Sequence, residues 1–175
     1  MSRTEWIYGR NVVASVLAAG VRRRAYGLAA TSPALRSLGV AVPEGLAVET
    51  VSTAELDALT GSRDHQGVAL RVDPFSYAPA EAVLASHLVV VLDEVTDPRN
   101  LGAVARSALA AGAGGLVLPR HRSAAVTPAA VKSSAGAVER LPVAQVTNIV
   151  AFLNEAKGAG WWVYGAAGEN SSGLR

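Results

Sequence analysis

Apolar positions along this chain switch repeatedly between two periods. In residues 7–20, IYGRNVVASVLAAG, Val12, Val13, Val16 and Leu17 recur at helical spacing, and Gly20 follows as a C-cap. Short apolar runs then alternate with helical stretches. The pattern predicts a strand at 25–29, a helix around 33–38, a strand near 46–51, a helix near 53–59 and a strand at 67–72. Ser52 or Thr53 caps the helix near 53–59, with Glu55 in its first turn. Residues 73–86, DPFSYAPAEAVLAS, interrupt the rhythm with two prolines and resemble a linker entering a short helix. The second half opens on HLVVVLDEV. Its apolar run at 88–92 predicts a strand covered on both faces, as in a parallel sheet. A helix at 100–112, a strand at 115–118, a helix at 128–134, a strand at 141–146, a helix at 149–158 and a strand at 161–164 follow. Trp161 and Trp162 on that last strand are expected in the core. The alternation argues for an α/β protein with a doubly wound sheet, divided into a unit at 1–73, a linker at 74–86 and a unit at 87–175.

Composition narrows the class. Half of the 175 residues are hydrophobic and 17% are charged, which excludes a disordered chain. There is no cysteine, so a disulfide scaffold and a Cys-ligated metal are excluded. The three histidines, His65, His87 and His121, lack metal-ligand spacing, and no metal is expected. No apolar run reaches the ~18 residues of a membrane helix. The start, MSRTEWIYGR, lacks the apolar stretch of a signal peptide. The expectation is a soluble, cytoplasmic protein.

Charge changes the picture more. The net charge is only +2, yet residues 1–30 carry five Arg against Glu5, and residues 98–140 carry five Arg and Lys132 against Glu139. Between them, residues 44–97 carry ten acids against Arg63 and Arg71. If the fold joins the two basic segments, they form one anion-facing surface. Fourteen of the sixteen cations are Arg, the better phosphate grip. A genomic base bias toward Ala, Gly, Val and Arg competes as the source of that preference, but it does not explain the segregation.

The stretch VLDEVTDPRNLGAVARSALAAGAGGLVLP, residues 91–119, carries the candidate chemistry. Asp93, Glu94 and Asp97 follow a buried strand at its carboxyl end, where open α/β sheets place ligands. Pro98 fixes the turn and Asn100 is expected as the helix N-cap. Gly102 permits close approach of a backbone or a ligand, and Arg106 lies under two turns into the helix. Alone, an Asn-x-Gly is more often an ordinary cap. Asp-Pro-x-Asn-x-Gly-x-x-x-Arg after a buried strand is far more specific.

This motif resembles that of the SpoU (TrmH-like) branch of the SPOUT ribose 2′-O-methyltransferases. VKSSAGAVERLPV, residues 131–143, resembles the family's second motif, and VTNIVAFLNEAKGAGWWVYGAAGE, residues 146–169, its next helix and strand. IYGRNVVASVL and DHQGVALRV resemble the ends of the family's ribosomal-protein-L30e-like substrate-binding domain. The nearest resemblance is to bacterial enzymes that methylate a guanosine ribose in 23S ribosomal RNA.

The resemblance implies an L30e-like RNA-binding domain followed by an α/β-knot methyltransferase domain with a parallel sheet. It implies S-adenosylmethionine as cofactor, 23S ribosomal RNA as partner and a homodimer. By similarity Asn100, Arg106 and Glu139 belong to the catalytic site. Arg106 binds the nucleotide phosphate and aligns the 2′-hydroxyl, since free Arg holds its proton too firmly to be a ready base. Asn100 orients Arg106 or the ribose. Glu139 either pairs with a catalytic cation or is a surface acid at a helix end. The first cofactor loop maps to Gly165–Glu169, with Ala166, Ala167 and Gly168 as the contacts. Arg10, Arg22, Arg23 and Arg24 are candidate phosphate contacts, and His65 with Gln66 serves RNA contact or strand capping. The family's third motif has no counterpart after Gly168, so roughly 80 residues are expected beyond this sequence, by the size of ordinary domains. The 175 residues alone are then expected to be inactive. Alternatives are a non-catalytic RNA-binding module and a related transfer-RNA or antibiotic-resistance methyltransferase. A Rossmann nucleotide binder ranks low, because no Gly-x-Gly-x-x-Gly follows a strand.

Overall fold

Two sheets of different construction organise the chain. The computed structural model describes residues 4–18 and 23–166. Its first sheet takes β1 (Glu5–Tyr8), β2 (Ala25–Ala30), β3 (Val48–Thr50) and β4 (Val68–Val72) in the order β1-β4-β2-β3. β4 runs antiparallel to both β1 and β2, and β3 runs parallel to β2, so the sheet is mixed. The helices of this unit are α1 (Arg10–Ala18), α2 (Ser32–Arg36) and α3 (Thr53–Thr60). The second sheet is parallel, β5-β6-β7, from β5 (Val89–Val91), β6 (Gly115–Pro119) and β7 (Val143–Val146). Its helices are α4 (Ala80–Leu84), α5 (Pro98–Ala110), α6 (Pro128–Ser133), α7 (Ala137–Arg140) and α8 (Ile149–Gly158). The chain is thus an α/β protein, a mixed-sheet unit followed by a parallel-sheet unit.

Local chemistry sets the element ends. Ser52 accepts from the Glu55 N–H at 3.2 Å, the Glu55 carboxylate accepts from the Ser52 N–H at 2.7 Å, and Gly61 closes α3 at φ 63°. The Ser52 hydroxyl also donates to the Glu55 carboxylate, at 2.8 Å, and the Ser52 N–H together with this hydroxyl holds Glu55 below its ordinary pKa. The expected start of α5 moves. Asp97 is the N-cap, accepting from the Arg99 N–H at 2.8 Å, and Pro98 takes the first helical position. Asn100 is therefore inside the first turn and is not the cap. The helix expected across 7–20 also divides. Glu5–Tyr8 pair with β4 as a strand, and Gly9, at φ +99°, turns the chain into α1.

Beyond residue 73 the structure departs from expectation at several places. Val89–Val91 are half-buried and Leu88 is exposed, so β5 is not covered on both faces. The reason is its position at one edge of the sheet, where β6 is its one neighbour among the described residues. Trp161–Tyr164 do not form a strand, because no described ladder receives them. Trp162 is 84% exposed, which removes it from the core. The segment after residue 73 is a packed layer on the second sheet. Ala78 bridges Ala144, and Val83 on α4 sits so close to Gly115 that a Cβ there would lie 2.6 Å from it.

The core is continuous across the two units. Ile7, Val12 and Val16 share one buried cluster with Val131, Val138 and Leu141. Each such side chain contributes about 1.5–3 kcal/mol on burial. Behind α5, Gly102 meets α6 so closely that a Cβ would lie 1.9 Å from Ser133 Oγ and 2.6 Å from the Ala130 carbonyl oxygen. The partner approaching Gly102 is therefore another helix.

Candidate functional site

All three strands of the second sheet end at one edge, and the loops that leave them are tied together. The Ala124 N–H donates to the Val95 carbonyl at 2.8 Å, and the Arg120 N–H donates to the Val146 carbonyl at 2.8 Å. Glu94 and Arg122 sit on the two neighbouring loops with left-handed backbone, φ 53° and φ 57°. Their charged groups face each other at 3.9 Å, both well exposed. Such conformations cost a non-glycine residue roughly 1–3 kcal/mol and gather at functional sites.

Helix α5 rises directly from this edge. Leu101, Gly102, Ala105 and Ala108 are buried, which leaves Asn100, Ala103, Arg106 and Ser107 on the exposed face. At 100° and 1.5 Å per residue, Asn100 and Arg106 stand about 120° and 9 Å apart, at the two margins of that face. Arg99 lies one heptad before Arg106, on the same margin. No described residue pairs with the Arg106 guanidinium. A charged, planar, five-donor group held free on a fixed helix can take a phosphate or a ribose oxygen.

Glu139 is not part of this face. It is 3% exposed on α7, and its carboxylate is gripped by Arg23 of the first unit. Arg23 Nε donates to Glu139 Oε2 at 3.0 Å and Arg23 Nη2 donates to Oε1. Arg23 Nη1 donates to Glu5 Oε1 and, at 3.2 Å, to the Asp73 carbonyl. The Phe75 ring covers the guanidinium at 5.3 Å from its centroid. Burial works against the Arg23 charge, but the bonds and charges of Glu139 and Glu5 outweigh it and raise its pKa above the ordinary value. This corrects two expectations. Arg23 is 4% exposed and cannot face an RNA phosphate, and Glu139 is not a surface acid, since the cation it pairs with is the buried Arg23.

His65 is likewise an internal group, 3% exposed. Its Nδ1 accepts from the Gly67 N–H at 2.9 Å and its Nε2 lies 3.1 Å from Asp57 Oδ1. The capping role holds, and burial removes the RNA contact. Arg10 donates its backbone N–H to Gln66 Oε1 at 3.0 Å and its guanidinium to the Ser37 carbonyl. With Arg63 it lines an open depression of about 360 Å³. Arg24 is exposed, stacked over Tyr26 at 5.2 Å. Arg22, Ala167, Gly168 and Gly20 lie outside the described residues, and Ala166 is exposed.

Two contacts escaped the sequence. One is the Arg23–Glu139 pair, whose members are 116 positions apart. The other is Lys132 of α6, whose Nζ lies over Gly9, so that a Cβ at Gly9 would meet it at 2.5 Å. Burial lowers the Lys132 pKa, partly offset by the Asp64 charge. Nothing local marks either contact in one sequence.

The arrangement agrees with known proteins. Residues 87–174 match the model of the SpoU rRNA Methylase family, and residues 6–78 match that of the RNA 2′-O ribose methyltransferase substrate-binding domain. A protein of Mycobacterium avium described as an "uncharacterized tRNA/rRNA methyltransferase" is 40% identical over 172 residues, which span 93% of this chain and 56% of the relative. Among solved structures, a chain of the TrmH family from Porphyromonas gingivalis aligns with TM-score 0.70 and 26% identity, over 90% of this chain and 60% of that one. An rRNA methyltransferase from Sinorhizobium meliloti, solved with AdoMet bound, aligns with TM-score 0.63 and 22% identity, over 88% of this chain and 59% of that one. The chain therefore spans little more than half the length of the curated relatives it matches.

Proposed function

Because this chain belongs to the SpoU rRNA Methylase family, we propose that it selects RNA and orients the acceptor ribose for an S-adenosylmethionine-dependent 2′-O-methyltransferase of tRNA or rRNA. The finer reading is a guanosine ribose in 23S ribosomal RNA. The observation that carries the proposal is the exposed Asn100–Arg106 face, placed at the carboxyl edge of a parallel sheet beside two strained loops.

S-adenosylmethionine supplies an already activated methyl group, so this chain needs to provide alignment and shielding. With the cofactor bound, the ribose 2′-oxygen would take the methyl, a neutral thioether would be left, and the 2′-hydroxyl proton would pass to water. Arg106 would bind the phosphate beside the acceptor ribose and fix the hydroxyl in line. Asn100, at the other margin of the face, would hold the ribose by hydrogen bonding. Arg10 and Arg24 of the first unit would take more distant phosphates. Gly165 and Ala166, exposed and without bulky side chains, leave backbone open to a cofactor, which fits the loop's assigned role.

Arg106→Ala tests the reading in the full-length protein. Methyl transfer to RNA is expected to fall about 10²–10³-fold, with RNA affinity changed only a few-fold. Equal loss of transfer and binding would reduce Arg106 to a phosphate grip. Mapping 2′-O-methylation in ribosomal RNA from a strain lacking the gene decides the substrate.

The partial span of the relatives favours a second reading for the 175 residues by themselves, an RNA-binding module without a complete cofactor cage. Isothermal titration with S-adenosylmethionine separates the two, because micromolar binding by the isolated chain rules the second one out.

A further inference from the structure

The geometry points to Arg23 as a positioning residue: through Glu139 it fixes the orientation of the mixed-sheet unit relative to the face of α5. The inference rests on the proposed function only for what the orientation serves.

The seam between the units has an unusual composition. Around the apolar cluster it places a buried guanidinium, a buried carboxylate and several very small residues. On one side Gly136, at φ +85°, approaches α1 so closely that a Cβ would lie 2.9 Å from Ser15 Cβ. On another side Lys132 lies over Gly9. The apolar cluster holds the two bodies together without directional bonds. A two-pronged Arg–carboxylate pair adds direction, because both N–H···O bonds are directional and leaving either group unpaired in the interior is costly. Arg23 also reaches Glu5 on β1 and the Asp73 carbonyl, so the guanidinium is itself held by the first unit. Glu139 is held by the second. The pair thus joins the two units through a directional contact between buried side chains.

A chain of contacts continues from it toward the site. Phe75 lies on Arg23 and meets Tyr77 edge to face at 5.2 Å. Tyr77 Oη accepts from the Val126 N–H at 3.0 Å, and Ala124 in the same loop is bonded to Val95, three residues before α5. An RNA that touches both Arg10 or Arg24 and Arg106 requires those cations at a fixed separation. Arg23 sets that separation without contacting RNA.

The test exploits the absence of cysteine. Labels at A58C on α3 and E155C on α8, both exposed, report the distance between the units by electron-spin resonance. The wild-type chain is expected to give one narrow distance distribution. The R23M/E139M variant removes both charges together and keeps apolar volume, so it is expected to fold. Its distribution is expected to broaden, and its affinity for a structured RNA spanning both units to fall about tenfold as one fixed geometry is lost. Binding of an RNA fragment too short to span them is expected to stay unchanged. A folded double variant with a narrow, unshifted distribution overturns the proposal, since a merely structural pair would behave so. If the double variant fails to fold, Arg23→Lys keeps the charge and loses the fork. Broadening in it supports the proposal, and a wild-type distribution overturns it. Broadening without any change in RNA affinity keeps Arg23 as the orienting group and counts against the RNA reading instead.

Discussion

Arg23 and Arg106 are the same residue type in two regions that treat it oppositely. At the seam, Arg23 is buried and all its donor groups are directed at Glu139, Glu5 and the Asp73 carbonyl. On α5, Arg106 is exposed and no described residue engages it. The first holds two bodies in place, and the second is available to a ligand. The motif resemblance leads to the expectation that both Glu139 and Arg106 are catalytic, and the comparison divides that pair by environment. A buried, satisfied charge is architecture. An exposed charge on a rigid element beside a strained loop edge is a candidate for chemistry.

Substitutions at each region should break this symmetry unequally. Arg23→Met strands Glu139 as a buried, unpaired carboxylate, and urea denaturation is expected to show a loss of about 3–5 kcal/mol. A loss under 1 kcal/mol would mean that water reaches the pair. Gly102→Ala comes next. It forces the backbone of α6 away from α5, because the new methyl would meet the Ala130 carbonyl oxygen at 2.6 Å. The expected cost is about 1–3 kcal/mol, seen as a lowered Tm. Arg106→Ala should leave stability within about 0.5 kcal/mol of wild type, as exposed substitutions do, while methyl transfer falls about 10²–10³-fold. A large stability loss there would show that Arg106 is structural after all. The smallest effect concerns pH. The folded state holds Lys132 below its ordinary pKa, so it disfavours the protonated form. Stability is therefore expected to rise slightly as pH climbs from the folded value toward the ordinary lysine value. The rise is small because Lys132 is partly solvated, and Lys132→Met should abolish it in the same denaturation series.

Much of the fold was legible, for a local reason. Period and caps are short-range, so α3, α8 and the strands at 25–30 and 68–72 emerge within a residue or two of their expected ends. The failures have non-local causes. Glu5–Tyr8 are a strand because β4, more than sixty positions later, pairs with them. Trp161–Tyr164 have the composition of a strand but no described neighbour to pair with. Asn100 and Arg106 are singled out by motif, and the structure places both on the exposed face of α5, as the helical pattern implies. Arg23, Glu139 and His65 were misassigned wholly or in part because burial and partner are tertiary facts. Three consecutive arginines after a helix suggest phosphate contacts until one of them meets an acid from the other half.

The separation of Arg23 from Glu139 also has a consequence for how the molecule is made. All four strands of the mixed sheet are delivered by residue 72, so that unit can close while the rest is still being synthesised. Glu139 arrives 67 residues later, several seconds at roughly 5–20 residues per second. In that interval Arg23 has only Glu5 as a carboxylate partner, and its hydrophobic surroundings lack α6 and α7. Loop closure over such a distance is slow and comes late. The nascent first unit would thus present an open, cation-bearing apolar face for a time, until α6 and α7 cover it and bring Glu139 to Arg23.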